Sequence, residues 1–154
     1  MKLVVQRVNQ ASVKKTETNK IVGQINHGLF VLVGIKKGDS FKEAEFLAEK
    51  LTKLRILSDE NDKMNLSILD RNLPDGRKKE EVLVVSQFTL IAETKGQNRP
   101  SFIDAAPPEG AKKIYEHFVN EVKENGIKVA TGSFGDYMKI ETVLDGPVTI
   151  LLEA

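Results

Sequence analysis

The sequence has no cysteine, no tryptophan and only two histidines. Without cysteine there is no disulfide framework and no thiolate nucleophile. No apolar stretch approaches the ~20 residues of a membrane span. The first residues, Met1-Lys2-Leu3-Val4-Val5-Gln6-Arg7, turn polar too early for a signal peptide. An excess of one charge is missing too: 23 Lys and Arg stand against 22 Asp and Glu. That balance leaves no dense basic face for wrapping long nucleic acid. Small basic clusters remain at Lys14-Lys15, Lys36-Lys37, Arg77-Lys78-Lys79 and Lys95 to Arg99. Each reads as a solvated turn, although a few such lysines suffice to grip the end of an RNA. The expectation is a cytoplasmic protein with no membrane and no DNA partner.

What is present is ordinary globular material: 154 residues, 40% hydrophobic and 29% charged, enough for a single domain spanning residues 1–154. Residues 2–10 alternate as a strand, with Leu3, Val5 and Arg7 on one face. An arginine in that company sits at a sheet edge or is paired. Ala11–Lys15 and Ile21–Ile25 read as a hairpin, Asn26-His27-Gly28 as another turn, and Leu29–Ile35 as a second buried strand. Three strands joined by short turns predict an antiparallel meander. Ser40 with Glu43 forms a capping box ahead of a helix whose apolar face is Ala44, Leu47, Ala48, Leu51 and Leu54. Arg55–Leu57 reads as a short strand, Met64–Ile68 is ambiguous, and Leu73-Pro74-Asp75-Gly76 is a turn.

The best helical stripe is Ala111, Ile114, Tyr115, Phe118, Val119 and Val122, entered through Pro107-Pro108 and stopped by Asn125-Gly126. Ile127–Ala130, Met138–Val143 and Val148–Leu152 follow as strands. The fold class is therefore α/β: one compact domain of mixed, largely antiparallel β-sheet covered by two main helices.

Val82 to Leu90 is the unusual stretch. It begins as a strand buried on both faces and then places Ser86, Gln87 and Thr89 where a core strand favours Val and Ile. Buried polar groups without partners cost roughly 1–3 kcal/mol each, so this end must find hydrogen bonds or face a cavity. If the chain stays extended, Gln87 and Thr89 point one way and Ser86 and Phe88 the other. Gly146-Pro147, between two apolar runs, reads by itself as a hairpin turn. The general base of a conventional hydrolase is hard to find. His27 reads as a loop residue and His117 as a surface helix residue, and no His/Asp/Glu cluster appears at metal-ligand spacing. The expectation is no metal and no cofactor. Catalysis must then rest on hydroxyls, with Thr89 a nucleophile or donor, and on strand-end amides near Gln87 and Phe88 that can support an oxyanion.

Ser86-Gln87-Phe88-Thr89, followed in order by Gly146-Pro147-Val148-Thr149, resembles the D-aminoacyl-tRNA deacylase family. The resemblance extends over the whole chain through Val5-Gln6-Arg7-Val8, Gly28 to Gly34, Leu54-Arg55-Ile56, Met64-Asn65, Lys95-Gly96, Arg99-Pro100-Ser101-Phe102 and Gly132 to Met138. It implies a homodimeric hydrolase that frees D-amino acids, and glycine mischarged on alanine tRNA, from the tRNA acceptor end. It implies that Ser86, Gln87, Phe88 and Thr89 form the aminoacyl pocket. Gly146-Pro147 would be cis and would enter the partner's pocket to exclude L-amino acids, with Arg7 holding that loop and Met138 near the pocket. The missing base would be replaced by the 2′-hydroxyl of the substrate's own ribose. One departure is Leu144, where many relatives carry an asparagine that braces the loop. Two other readings remain open at this level: an esterase with Thr89 as true nucleophile, and a non-catalytic module binding the acceptor end or a partner protein.

Overall fold

The computed structural model describes residues 1–72 and 80–154. The turn expected at Leu73-Pro74-Asp75-Gly76 and the Arg77-Lys78-Lys79 cluster lie outside those residues. The organising element is β1 (Lys2–Lys15), a strand of 14 residues. One edge of β1 pairs in succession with β3 (Gly28–Gly34) and β2 (Ile21–Ile25), both antiparallel. The other edge pairs with β8 (Met138–Glu153) along almost its whole length. Beyond β3 the sheet continues in parallel through β6 (Glu81–Ser86) and β7 (Lys128–Thr131), in the order β2-β1-β3-β6-β7.

The meander expected from three successive strands does not form. β2 and β3 are two stretches of one arm that pairs with β1 in an unchanged register, Ala11 opposite Ile25 and Val8 opposite Gly28. Asn26-His27 bends the chain without reversing it. The bend is held from outside the hairpin: Glu81 donates its backbone N–H to the His27 carbonyl (3.0 Å), and its carboxylate accepts from the Asn26 N–H (3.1 Å). β1 is long enough to receive both stretches, so no reversal is required.

Helix α1 (Phe41–Thr52) starts where its capping box places it, with the Ser40 N–H donating to Glu43 at 2.7 Å. A two-stranded ribbon, β4 (Leu57–Ser58) with β5 (Met64–Leu66), and a single turn, α2 (Ile68–Arg71), follow. Helix α3 (Pro108–Glu124) buries Ala111, Tyr115, Phe118, Val119 and Val122, the stripe read from the sequence, with Ile114 only partly buried. Together α1 and α3 cover one face of the sheet over Leu3, Val5, Val31, Val82 and Val84. The other face curls on itself around Val8, Val13, Phe30, Leu83 and Val85. β6 is thus buried on both sides, which explains its unbroken apolar run.

Candidate active site

β3, β6 and β7 run parallel, so their carboxyl ends open at one edge of the sheet. Groups that follow parallel strands converge at such an edge, the usual place for ligands in α/β sheets. Here a cavity of about 600 Å³ lies between Ile35 after β3, Ser86–Thr89 after β6, the Phe134–Met138 turn after β7, and Pro108 and Ala111 at the start of α3.

The strand does not run through to Leu90. It ends at Ser86, and Phe88–Ile91 forms a 3₁₀ turn. The alternation expected for Ser86–Thr89 therefore fails beyond Gln87, because the turn redirects each side chain. The backbone hydrogen bonds decide which amides are free. The Gln87 N–H donates to the Val33 carbonyl at 2.7 Å, so it is committed. The Phe88 and Thr89 N–H groups open the turn, and the first donors of a helical turn have no acceptor within it. The strand-end amides expected near Gln87 and Phe88 therefore narrow to those of Phe88 and Thr89, which have no backbone acceptor among the described residues. The Gln87 side-chain amide donates to the Thr89 hydroxyl oxygen. No histidine or carboxylate accepts from that hydroxyl among the described residues. It lacks the base that would make it a nucleophile.

Met138 lines the cavity, with its Sδ 3.2 Å from the Ser133 N–H. Sequence reasoning passed over Phe134, Asp136 and Tyr137, which lie in the same turn and also line it. The only signal was their position between Gly132 and Met138. The Asp136 carboxyl is held below the usual carboxylate range, first by its hydrogen bond to Lys15 and then by the Ser133 hydroxyl. It stays ionised and paired at neutral pH and is no proton shuttle. Behind the cavity, the Tyr115 hydroxyl donates to the Val84 carbonyl (2.9 Å), and burial pushes its pKa upward.

Arg7, Gly146 and Pro147 are not part of this cavity. They form a second constellation at the junction of β1 and β8. Gln6 pairs with Thr149 and Val8 with Leu144, so Arg7 alone faces the four residues Asp145–Val148, which bulge out of the ladder. This is no hairpin, because both halves of β8 continue antiparallel to β1. The Gly146–Pro147 peptide is cis. Gly146 has φ +120°, which L side chains rarely adopt, and a Cβ there would stand 2.9 Å from Val148 Cγ2, so a side chain at this position is strained. The Arg7 guanidinium donates to the Ile56 carbonyl (2.9 Å), and its Nε lies 2.8 Å from Asp145 Oδ2 without the N–H aimed at that oxygen. Arg7 is therefore the paired residue of the two alternatives. Leu144 faces outward at 41% exposure; the bulge's ion pair comes from its neighbour Asp145.

A third constellation surrounds His117, which lies on α3 at the surface as the sequence predicts. Glu45 on α1 and Glu121 on α3 both approach His117 Nε2, at 3.0 and 3.6 Å. His117 and Glu121 stand at i, i+4 on α3, and Glu45 joins them from α1, which linear spacing does not reveal. The cluster lies at the surface between α1 and α3, away from the cavity.

The sequence matches the D-Tyr-tRNA(Tyr) deacylase family over residues 4–153. The chain belongs to the D-aminoacyl-tRNA deacylase family. Among relatives of that name, those of Thermosipho africanus and Brevibacillus brevis are 48% and 46% identical over the whole chain, covering 97% and 100% of their own lengths. A solved structure described as c-Myc DNA Unwinding Element Binding Protein superposes with a TM-score of 0.87 at 38% identity, covering 100% of this chain and 99% of its own. A probable eukaryotic D-amino acid tRNA deacylase shares the fold, with a TM-score of 0.82 at 15% identity over 98% and 97% of the two chains. Deacylases of this family are hydrolases of the ester bond in aminoacyl-tRNA. None of the helices is long and apolar enough to cross a membrane among the described residues.

Proposed function

We propose that the protein is a cytoplasmic homodimer that hydrolyses the ester linking a D-amino acid, or glycine on alanine tRNA, to the tRNA 3′ end. Water adds to the ester carbonyl, the resulting oxyanion is held by the Phe88 and Thr89 amides, and the bond to the ribose 3′-oxygen breaks. The hydroxyl stays on the freed amino acid and the proton goes to the ribose. The adjacent 2′-hydroxyl orients the water, in place of a protein base. The observation that carries this reading is a 3₁₀ turn starting at Phe88 beside a cavity lined by Ser86–Thr89, in which the Thr89 hydroxyl has no histidine or carboxylate partner among the described residues.

The chiral filter is the bulge at Gly146-Pro147, acting in the partner's cavity. Two features support a cross-subunit arrangement: the bulge lies apart from the chain's own cavity, and β8 presents Val143, Leu144 and Leu151 to solvent at 53%, 41% and 70% exposure. Such an edge strand with an apolar face is a natural pairing surface. An L side chain would meet the bulge, whereas a D side chain or a hydrogen would point away, so selectivity arises from a clash.

Matched D-tyrosyl-tRNA and L-tyrosyl-tRNA offered to one preparation test this reading. The D ester should be lost and the L ester spared, and glycyl-tRNA of the alanine type should be cleaved. Loss of both tyrosyl esters would remove the filter, and loss of neither would remove the activity. Arg7 supplies a narrower prediction. Arg7→Lys keeps the charge but not the fork that reaches both Ile56 and Asp145, so it should lower stability in urea unfolding by about 1–2 kcal/mol. It should also raise L-tyrosyl-tRNA cleavage at least tenfold while changing the D rate only a few-fold.

A further inference from the structure

The outer lip of the cavity has a feature that ester cleavage does not require. Phe88 is 58% exposed and packs edge-on against Phe102, itself 37% exposed, with ring centroids 5.1 Å apart. Ile103 beside them is 71% exposed. Large apolar groups this open, at the mouth of a polar-floored cavity, suit a flat ligand better than they suit water. The segment bearing Phe102 is fixed to the end of β3. The Lys37 N–H donates to the Asp104 carbonyl (2.8 Å), and the Ala106 N–H donates to the Ile35 carbonyl (3.0 Å). The preceding loop is closed by Glu93 and Ser101, which exchange both backbone bonds at 2.8 and 2.9 Å.

Two backbone stretches joined to the segment bearing Phe102 carry cations: Lys36 and Lys37, which bridge to Ala105 and Asp104, and Lys95 and Arg99, in the loop closed by Glu93 and Ser101. Among the described residues none of the four lies within 4.0 Å of a carboxylate, whereas Lys2, Lys14, Lys15 and Lys53 each have an acidic partner. The nearby Glu93 carboxylate takes the Lys95 backbone N–H, not its ammonium. Lys36 shares its charge with the Glu153 carboxyl, which it helps Lys2 hold below its ordinary value, while Lys37, Lys95 and Arg99 have no close carboxylate among the described residues. Cations without a close acidic partner on a segment that exposes π-faces are the pattern that holds single-stranded nucleic acid: bases stack on the rings and phosphates meet the cations.

We propose that Phe102, with Lys36, Lys37, Lys95 and Arg99, forms a platform for the single-stranded nucleotides immediately upstream of the aminoacylated adenosine. This rests on the reading of the cavity as the acceptor-end site and extends it outward. Phe102 is a positioning residue; it touches the strand and not the ester.

The test compares D-tyrosyl-tRNA with 3′-O-D-tyrosyl-adenosine, which fills the cavity but lacks the upstream nucleotides. Phe102→Ala should raise KM for the tRNA about tenfold with kcat within twofold, and leave the adenosine ester unchanged. Phe102→Leu, which keeps apolar packing against Phe88 and loses the π-face, should behave likewise. Lys95→Ala with Arg99→Ala should flatten the salt dependence of log KM by roughly 0.7 per charge removed. Equal losses on both substrates would overturn the platform, because Phe102 would then merely support Phe88. An unchanged KM for the tRNA would overturn it outright. Fluorescence anisotropy with an uncharged CCA-ended RNA reads the platform independently of hydrolysis. A wild-type protein that binds this RNA about tenfold tighter than Phe102→Ala, yet cleaves neither ester, retains the platform and loses the reaction. Absence of RNA binding, or its replacement by binding of an acidic peptide, overturns the platform.

Discussion

Phe88→Pro is expected to lower kcat for D-tyrosyl-tRNA about a hundredfold below that of Phe88→Ala. Both variants lose the ring that lies at the cavity mouth, so their difference isolates the backbone N–H. Proline suits this position because Phe88 is the first residue of the 3₁₀ turn, where φ near −65° is already required. Gln87 before it has φ −145° and ψ 88°, outside the helical region that a following proline disfavours. The fold should therefore survive, and matching thermal unfolding midpoints would establish that. Removing one preorganised donor from an oxyanion costs roughly 2.7–4 kcal/mol in the transition state, which is the origin of the expected hundredfold. Equal kcat for the two variants would exclude the Phe88 amide from catalysis. A drop confined to KM would make it a ground-state contact.

The second large effect is on stability. Gly28→Ala should cost about 3–5 kcal/mol, a large fraction of the usual 5–15 kcal/mol of a domain. Gly28 has φ +147°, and its added Cβ would lie 1.9 Å from the Glu81 carbonyl oxygen and 2.7 Å from the Glu81 nitrogen. Both are backbone atoms of the first β3–β6 register pair, so no side chain can rotate away to relieve the overlap. The same shift would disturb Glu81, which holds the Asn26 N–H and pairs with Lys128 at the start of β7. Gly110→Ala is the contrast. It lies in α3 with nothing within 4 Å of the new methyl, and should stabilise by about 0.5–1 kcal/mol. Chemical denaturation of both variants checks the pair; a small cost at Gly28 would mean that β3 and β6 can part at this end without loss.

Local patterns were legible wherever a short-range rule governs them. The Ser40–Glu43 capping box, the α3 stripe and the glycine stop at Gly126 all appear where the residues put them, because each depends on neighbours within about one helical turn. The polar strand end at Ser86–Thr89 was legible for a similar reason. Hydroxyls and an amide at the end of a buried run must be satisfied or face a cavity, and here they floor one.

Three features were not legible, and each depends on pairing between residues far apart in sequence. Asn26-His27 reads as a reversal because turn residues do not say whether the following strand will fold back or continue along the same partner; the length of β1 decides that. Gly146-Pro147 taken by itself reads as a hairpin for the same reason, and β1 again receives both halves of β8. The sequence places free amides only near Gln87 and Phe88, because nothing local reveals that the Val33 carbonyl takes the Gln87 N–H. By itself the sequence determined the family, the helices and the strand end that floors the cavity. Only the tertiary structure decided which amides remain open, which carboxylate pairs with Arg7, and that bulge and cavity lie apart on one chain, because long-range strand register is a property of the assembled sheet.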